Sequence, residues 1–379
     1  MTLFTLFSNP LAGVQLASEL LTRAPEPSSF PECLPPEEAA KTLEVLTPSQ
    51  RLGQITGSVG SPSTGASSGR LWGDRDFALR MVRVNPLAIT RLAPELQTDP
   101  EIAGAAILQD FAVIEKLPTE SRDAVWTAAL DQLESEGTSF PRERIETYEA
   151  FQTFMEDSGL RFEDRFRSVR TVLEVAANRD SLASLGTNRP IALVIATTSD
   201  YNRAFESFPL VDALVASGRF DVVYREASTE QEAGEILEET YRTAGRPIHT
   251  LVLAGHGMQD SLDLGGPPPP ASFSPPWSDQ ARVEIRDFEQ GEFAGLGDFV
   301  EAQGQVLLWS CSNGAGGADA DNLANAFSNA LPGRSVISVG VPSNIVALDV
   351  GPDAGLDVTW ASDDREYIAG NANNEKETP

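Results

Sequence analysis

Apolar residues recur three and four apart from about residue 71 to 178, and the alternation expected of strands is missing there. That stretch predicts helices, with Arg142–Met155 and Arg161–Ala177 as its last two. It also contains a weak internal repeat. Asp74-Arg-Asp-Phe-Ala opens a unit that Asp99-Pro-Glu-Ile-Ala opens again, and Phe77, Val82, Ile89 and Leu92 align with Ile102, Ile107, Ile114 and Leu117. Each unit reads as a short helix pair that needs a neighbour to bury its apolar face. After Gly186 the pattern changes to short, continuous apolar runs separated by helical segments. Ile191–Ala196, Phe220–Tyr224, Thr250–Ala254, Gln305–Trp309 and Ser335–Val339 read as buried strands, with Gly355–Trp360 as a sixth. Helices are expected at Pro209–Ser217, Glu230–Thr243 and Leu323–Ala330. Strands alternating with helices predict an α/β domain with a mostly parallel sheet.

The expected organisation has four parts. Residues 1–70 form an extended or linker region, with a short helix at 11–21 and a Gly/Ser/Thr-rich stretch at 54–70. Residues 71–180 form the helical-repeat domain, 187–365 the α/β domain, and 366–379 a disordered tail.

Composition narrows the partners. The 379 residues carry 28 basic and 56 acidic side chains, a formal charge of −28, and lysine occurs only at 41, 116 and 376. A phosphate backbone needs a basic stripe, so nucleic acid is not expected as a partner. Anionic membrane surfaces are disfavoured too, and no run approaches the roughly 18 apolar residues of a membrane span. The opening MTLFTLFSNP lacks a basic n-region and reads as no secretion signal. Two cysteines are too few for a disulfide framework, and a reducing cytoplasm is the expected location.

In open α/β sheets, sites form at the carboxyl ends of the strands. Thr250–Ala254 runs into Gly255-His256-Gly257, and Gln305–Trp309 runs into Ser310-Cys311-Ser312-Asn313. On adjacent strands these ends lie roughly 5 Å apart. A thiol is mostly protonated at neutral pH, whereas the thiolate is the nucleophile. A nearby imidazole can take that proton and later give it to a leaving amine. The N–H groups of Gly257 and Cys311 are candidate oxyanion-hole donors. The plain alternative is a buried, inert thiol beside an ordinary loop histidine; the joint placement favours the dyad. His249, at the amino end of its strand, and Cys33, in a Pro-rich loop, are assigned structural roles. No further Cys or His completes a tetrahedral metal set, so no metal and no cofactor are expected.

An apolar strand followed by His-Gly, then an apolar strand followed by Ser-Cys, resembles the caspase-like cysteine peptidases, as do the 55 positions between His256 and Cys311, against roughly 50 in caspases. The stretches AGHGMQDSLDLG, LLWSCSNG and SDYNRAF look most like uncharacterised bacterial members. The resemblance covers about 187–360. It implies a caspase-like fold, a peptide-bond hydrolase with His256 as general acid/base and Cys311 as nucleophile, and a protein or peptide substrate. Calcium activation occurs in some relatives and stays open. The Gln-Ala-Cys-x-Gly sequence of caspases is absent, so their aspartate specificity does not carry over. Trp309 stands where metacaspases have an acidic residue, so that route to basic specificity is missing as well.

Acidic side chains outnumber basic ones 19 to 5 from 257 to 379. Such a field favours cationic substrates, with Asp200 a candidate for the pocket that takes the residue before the scissile bond. Asp200 as a loop aspartate capping the next helix is the alternative, and Arg203 argues for an acidic residue instead. Ser310, Ser312 and Asn313 are expected to line the substrate site. The Pro-rich stretch 265–280 reads as a flap, an autocleavage loop or a plain surface loop. A non-catalytic caspase-like scaffold and a peptide ligase are the competing functions. The helical repeats are expected to hold a protein partner.

Overall fold

The computed structural model describes residues 72–369 apart from 161–165, 186–188, 199, 201–204, 206–207, 266–280 and 362–365. The expected helix at 11–21, the linker at 54–70, Cys33, Arg203, most of the Pro-rich stretch and residues 370–379 lie outside the described residues. Packing divides the chain into two compact units, at Ser135/Glu136.

In the first unit, helix α1 (Arg75–Val84) is followed by a 3-10 helix at Pro86–Arg91 and a single turn, α2 (Pro94–Gln97). Helix α3 (Pro100–Gln109) is followed by a second 3-10 helix, Phe111–Lys116, and then by α4 (Arg122–Ser135). The two helix–3-10 pairs start 25 residues apart and are built by the same local chemistry. Asp74 accepts from the N–H of Phe77, and Asp99 from those of Glu101 and Ile102. Asn85 and Asp110 then cap the 3-10 helices through the N–H groups of Leu87 and Ala112. Short polar side chains suit these positions because the first N–H groups of a helix have no intrahelical acceptor. Phe77, Met81, Val82, Ile102 and Ile107 are buried, as are Trp126 and Leu130 of α4.

The second unit begins with α5 (Tyr148–Asp157) and α6 (Val169–Asp180). The helical domain expected over 71–180 therefore ends earlier: α6 packs against a strand of the α/β unit and belongs to it. Its start is also later than expected. Ser168 caps it through the N–H of Thr171, and Asp212 accepts from the N–H groups of Arg167 and Ser168. Likewise α5 starts only at Tyr148, because Thr147 caps it through Ala150; residues 142–144 are a separate 3-10 turn.

Strand β1 (Ile191–Thr197), helix α7 (Leu210–Ala216), β2 (Asp221–Ala227), α8 (Glu230–Ala244) and β3 (Ile248–Ala254) come next. Then follow β4 (His256–Gly257), β5 (Ser261–Asp263), β6 (Arg282–Glu284), α9 (Ile285–Gln290), α10 (Leu296–Phe299) and β7 (Val300–Trp309). The remainder is α11 (Leu323–Ala330), β8 (Ser335–Val339), β9 (Ile345–Val350), β10 (Leu356–Trp360) and β11 (Glu366–Ala369). The main sheet has six strands in the order β11-β8-β7-β3-β1-β2, parallel throughout except for β11. It is a mostly parallel α/β sheet flanked by helices. Strand β1 is buried along its whole length, so both its faces are covered. Ile191, Leu193 and Ile195 share one core with Ala233 and Leu237 of α8 and Leu323 and Phe327 of α11, while α6 and α7 pack against β2.

Two expectations at the carboxyl end are corrected. Residues 356–360 are not the sixth strand of the main sheet. They pair antiparallel with β9, because Gly351 and Gly355 close a tight turn between two alternating runs. The sixth strand is β11, within the expected disordered tail, where Tyr367 and Ile368 pair with Ser338 and Ile337. The β9–β10 hairpin is tied to the main sheet by buried Gln305, whose amide donates to Thr250 Oγ1 (3.0 Å) and Ala354 O (2.7 Å) and accepts from the N–H of Leu356 (3.1 Å). Among the described residues, no helix is long and apolar enough to cross a membrane.

Candidate functional site

Strands β3 and β7 are neighbours in register, with Ala254 opposite Trp309 at their carboxyl ends. The N–H of Gly255 donates to Trp309 O (3.2 Å). Here the chain leaves the main sheet and enters a small three-stranded sheet, β4-β5-β6, with His256 opposite Asp263. Both glycines around His256 are set by space. A Cβ at 255 would lie 2.3 Å from Asp263 O. A Cβ at 257 would lie 2.8 Å from Cys311 O and 2.9 Å from Ser310 Cβ. The histidine-bearing backbone thus rests on the cysteine-bearing backbone, which is possible only where no side chain intervenes.

Asp200 follows β1, on the far side of β3 from β7. Its Oδ1 lies 3.5 Å from His256 Nε2, and its Oδ2 accepts from the N–H of Phe205 (3.1 Å). The carboxylate is 5% and the imidazole 12% exposed. Asp200 therefore sits buried against the imidazole and holds the Phe205 N–H, rather than lining an open specificity pocket. The Phe205 ring lies 5.5 Å from the imidazole and meets Trp309 edge-on at 5.1 Å. Asp263, across the small sheet, pairs with Arg282 (2.7 Å). Burial pushes its carboxyl up to about 6, against the opposing charges of Arg282 and His256.

Cys311 is half-buried, and its Sγ donates a weak hydrogen bond to Ser343 O (3.9 Å), in the loop between β8 and β9. The N–H of Ser312 donates to Val341 O in the same loop (3.3 Å). Burial pushes the Cys311 thiol above its ordinary value, so the resting group is protonated. The strand ends adjoin, and each side chain has a different neighbour. His256 Nε2 faces Asp200 on the β1 flank, and Cys311 Sγ faces Ser343 on the β8 flank.

Two residues expected at the substrate site are buried in its support. Asn313 is fully buried. Its amide donates to Ser261 O (2.9 Å) and to Met258 O, and its Oδ1 accepts from Ser310 Oγ, itself only 4% exposed. These bonds lock the loop after Cys311 to the loop after His256. Ser312 is half-buried with φ at 63°, the left-handed turn that redirects the chain behind the thiol. Sequence reasoning missed Ser343 and Val341, whose contribution is their backbone carbonyls, and Phe205.

Among the described residues, one group of carboxylates is close enough to share a cation: Glu230, Asp287 and Glu292, with ligand atoms within 4.8 Å of one another. Burial, then the Asp287 charge, raises Glu230 to about 7.

Compared with protein-family models, with curated proteins and with solved structures, the chain matches none.

Proposed function

We propose that the second unit is a caspase-like cysteine peptidase that hydrolyses peptide bonds through Cys311 and His256. One observation carries the reading: Ala254 and Trp309 pair at the carboxyl ends of adjacent parallel strands, with Gly257 seated on the backbone of Ser310 and Cys311. The mostly parallel sheet is compatible with the caspase-like fold. The paired helix–3-10 units support the reading of the first unit as helical repeats.

In the proposed cycle the Cys311 side chain turns off Ser343 O and the imidazole accepts its proton. The thiolate attacks the scissile carbonyl carbon, and the oxyanion is met by the N–H groups of Gly257 and Cys311. The imidazolium then protonates the departing amine, leaving a thioester. Water, giving its proton to His256, attacks the thioester carbonyl; the acid product leaves and the thiol reforms. Asp200 acts through His256 as a positioning residue.

The test is incubation with a peptide-based thiol-reactive inhibitor followed by mass spectrometry of the Cys311 peptide. Labelling in the wild type, lost in His256→Ala, supports catalysis. The Cys311–Ser343 contact favours a second reading, a non-catalytic scaffold of the same fold. An intact, folded protein that resists labelling at Cys311 would decide for it.

A further inference from the structure

We propose that the cavity between α9 and α11 is a docking groove for a cationic peptide segment with an apolar side chain. It extends the peptidase reading by assigning a place to anchor substrate, but peptide binding there does not require catalysis.

The cavity measures about 560 Å³, within the range of built ligand sites. Its floor is apolar. Phe288 and Phe293 stack at 4.7 Å, and Phe327 supports Phe288 edge-on, also at 4.7 Å. The lining rings are only half-buried, so the groove presents aromatic surface to solvent. Its rim is acidic: Glu289, Asp319 and Asp321 are all exposed, and among the described residues no lysine, arginine or histidine lines the cavity. Aromatic faces and carboxylates in one groove suit arginine or lysine, whose charge meets the rim while the stem covers the rings. An anionic or nucleic-acid ligand would meet only repulsion.

The rim is also built before any ligand arrives. Asn322 caps α11 through the N–H of Asn325 (2.8 Å), and its amide donates to Gly317 O (2.9 Å). Asn325 donates to Gly317 O (3.0 Å) and Ala320 O (2.8 Å). Gln259, three residues beyond His256, donates to Asp321 O (2.9 Å) and accepts from the N–H of Leu323 (2.9 Å). Little ordering is left for binding to oppose. The same bonds join the groove to the loops that carry His256 and Cys311.

The test is fluorescence polarisation on the full chain carrying Cys311→Ala, so that turnover cannot interfere. The probe is a fluorescein-labelled peptide of alternating arginine and leucine, with glutamate for arginine as control. The arginine peptide should bind and weaken with salt, and the control should not bind. Asp319→Asn with Asp321→Asn, two exposed isosteric changes, should weaken binding roughly three- to thirtyfold. Ala326→Trp, which fills the cavity at unchanged charge, should weaken it about tenfold, the loss of a filled apolar pocket. Equal binding of both peptides, or full affinity in either variant, would overturn the proposal. Because binding is read without turnover, a catalytically inert protein would leave the result standing.

Discussion

Substituting Gly257 by alanine tests the contact between the two strand ends. The added Cβ would lie 2.8 Å from Cys311 O, 2.9 Å from Ser310 Cβ and 3.0 Å from Ser310 Oγ. Ordinary carbon contacts are about 3.5–4.0 Å, so something must move by roughly 0.5–1 Å. No flexible end can give way: two obstacles are a carbonyl oxygen and a Cβ, and the Ser310 hydroxyl is buried on Asn313. Overpacking of this kind costs about 1–3 kcal/mol. At about 2–4 °C per kcal/mol for a unit of this size, Tm should fall by roughly 2–12 °C. Gly234 is the control. It lies inside α8 with nothing within 4 Å of an added Cβ, so Gly234→Ala should gain about 0.5–1 kcal/mol. Thermal unfolding reads both, and mass-resolved alkylation reads Cys311 in each. Gly257→Ala should change the alkylation rate, because it moves the backbone that aims the thiol. Wild-type Tm and wild-type alkylation in Gly257→Ala would refute the contact and the apposition inferred from it.

Further predictions concern the supporting network and its titration. Asn313→Ala removes the partner of the Met258 carbonyl and of the Ser310 hydroxyl, while Ser261 O keeps the Met258 N–H; the cost is roughly 1–3 kcal/mol for each group that water cannot reach, measurable by denaturant unfolding. Asp99→Ala removes a cap and one of the two Arg75 partners, and should cost about 0.5–2 kcal/mol of first-unit stability by the same measurement. Asp263 and Glu230 hold protons to about 6 and 7 when folded, against ordinary values of 3.8 and 4.5. Their stabilisation is therefore complete below the unfolded values and lost as pH rises from about 4 to 7. Glu230→Gln should flatten that decline in a Tm-against-pH series and raise Tm at pH 8; an unchanged profile would refute the assignment.

The parallel strands were legible because residues buried on both faces must be apolar without interruption. Thus IALVIA marks β1 almost to the residue. The 25-residue recurrence was legible because its markers are local, an aspartate cap and the apolar positions of one helical turn. Less was visible where tertiary contacts decide. Residues 142–155 read as one helix, but Thr147 interrupts it with a cap. Residues 356–360 read as part of the main sheet, since periodicity cannot say which strand will be the neighbour. At the site, position was legible and orientation was not. Apolar runs located His256 and Cys311 at strand ends, but nothing local aims a thiol at Ser343 O or turns Asp200 toward an imidazole. Asn313 looked like a ligand-facing amide because a buried and an exposed asparagine read alike in sequence.

The β9–β10 hairpin is anchored at both ends. At its root, the loop preceding β9 covers the sulfur through Ser343; at its tip, the turn is fastened to the Gln305 amide, four residues upstream of Trp309. With tip and root both held, a pull on the turn would be carried along the single strand β7, from Gln305 to the segment that bears Cys311.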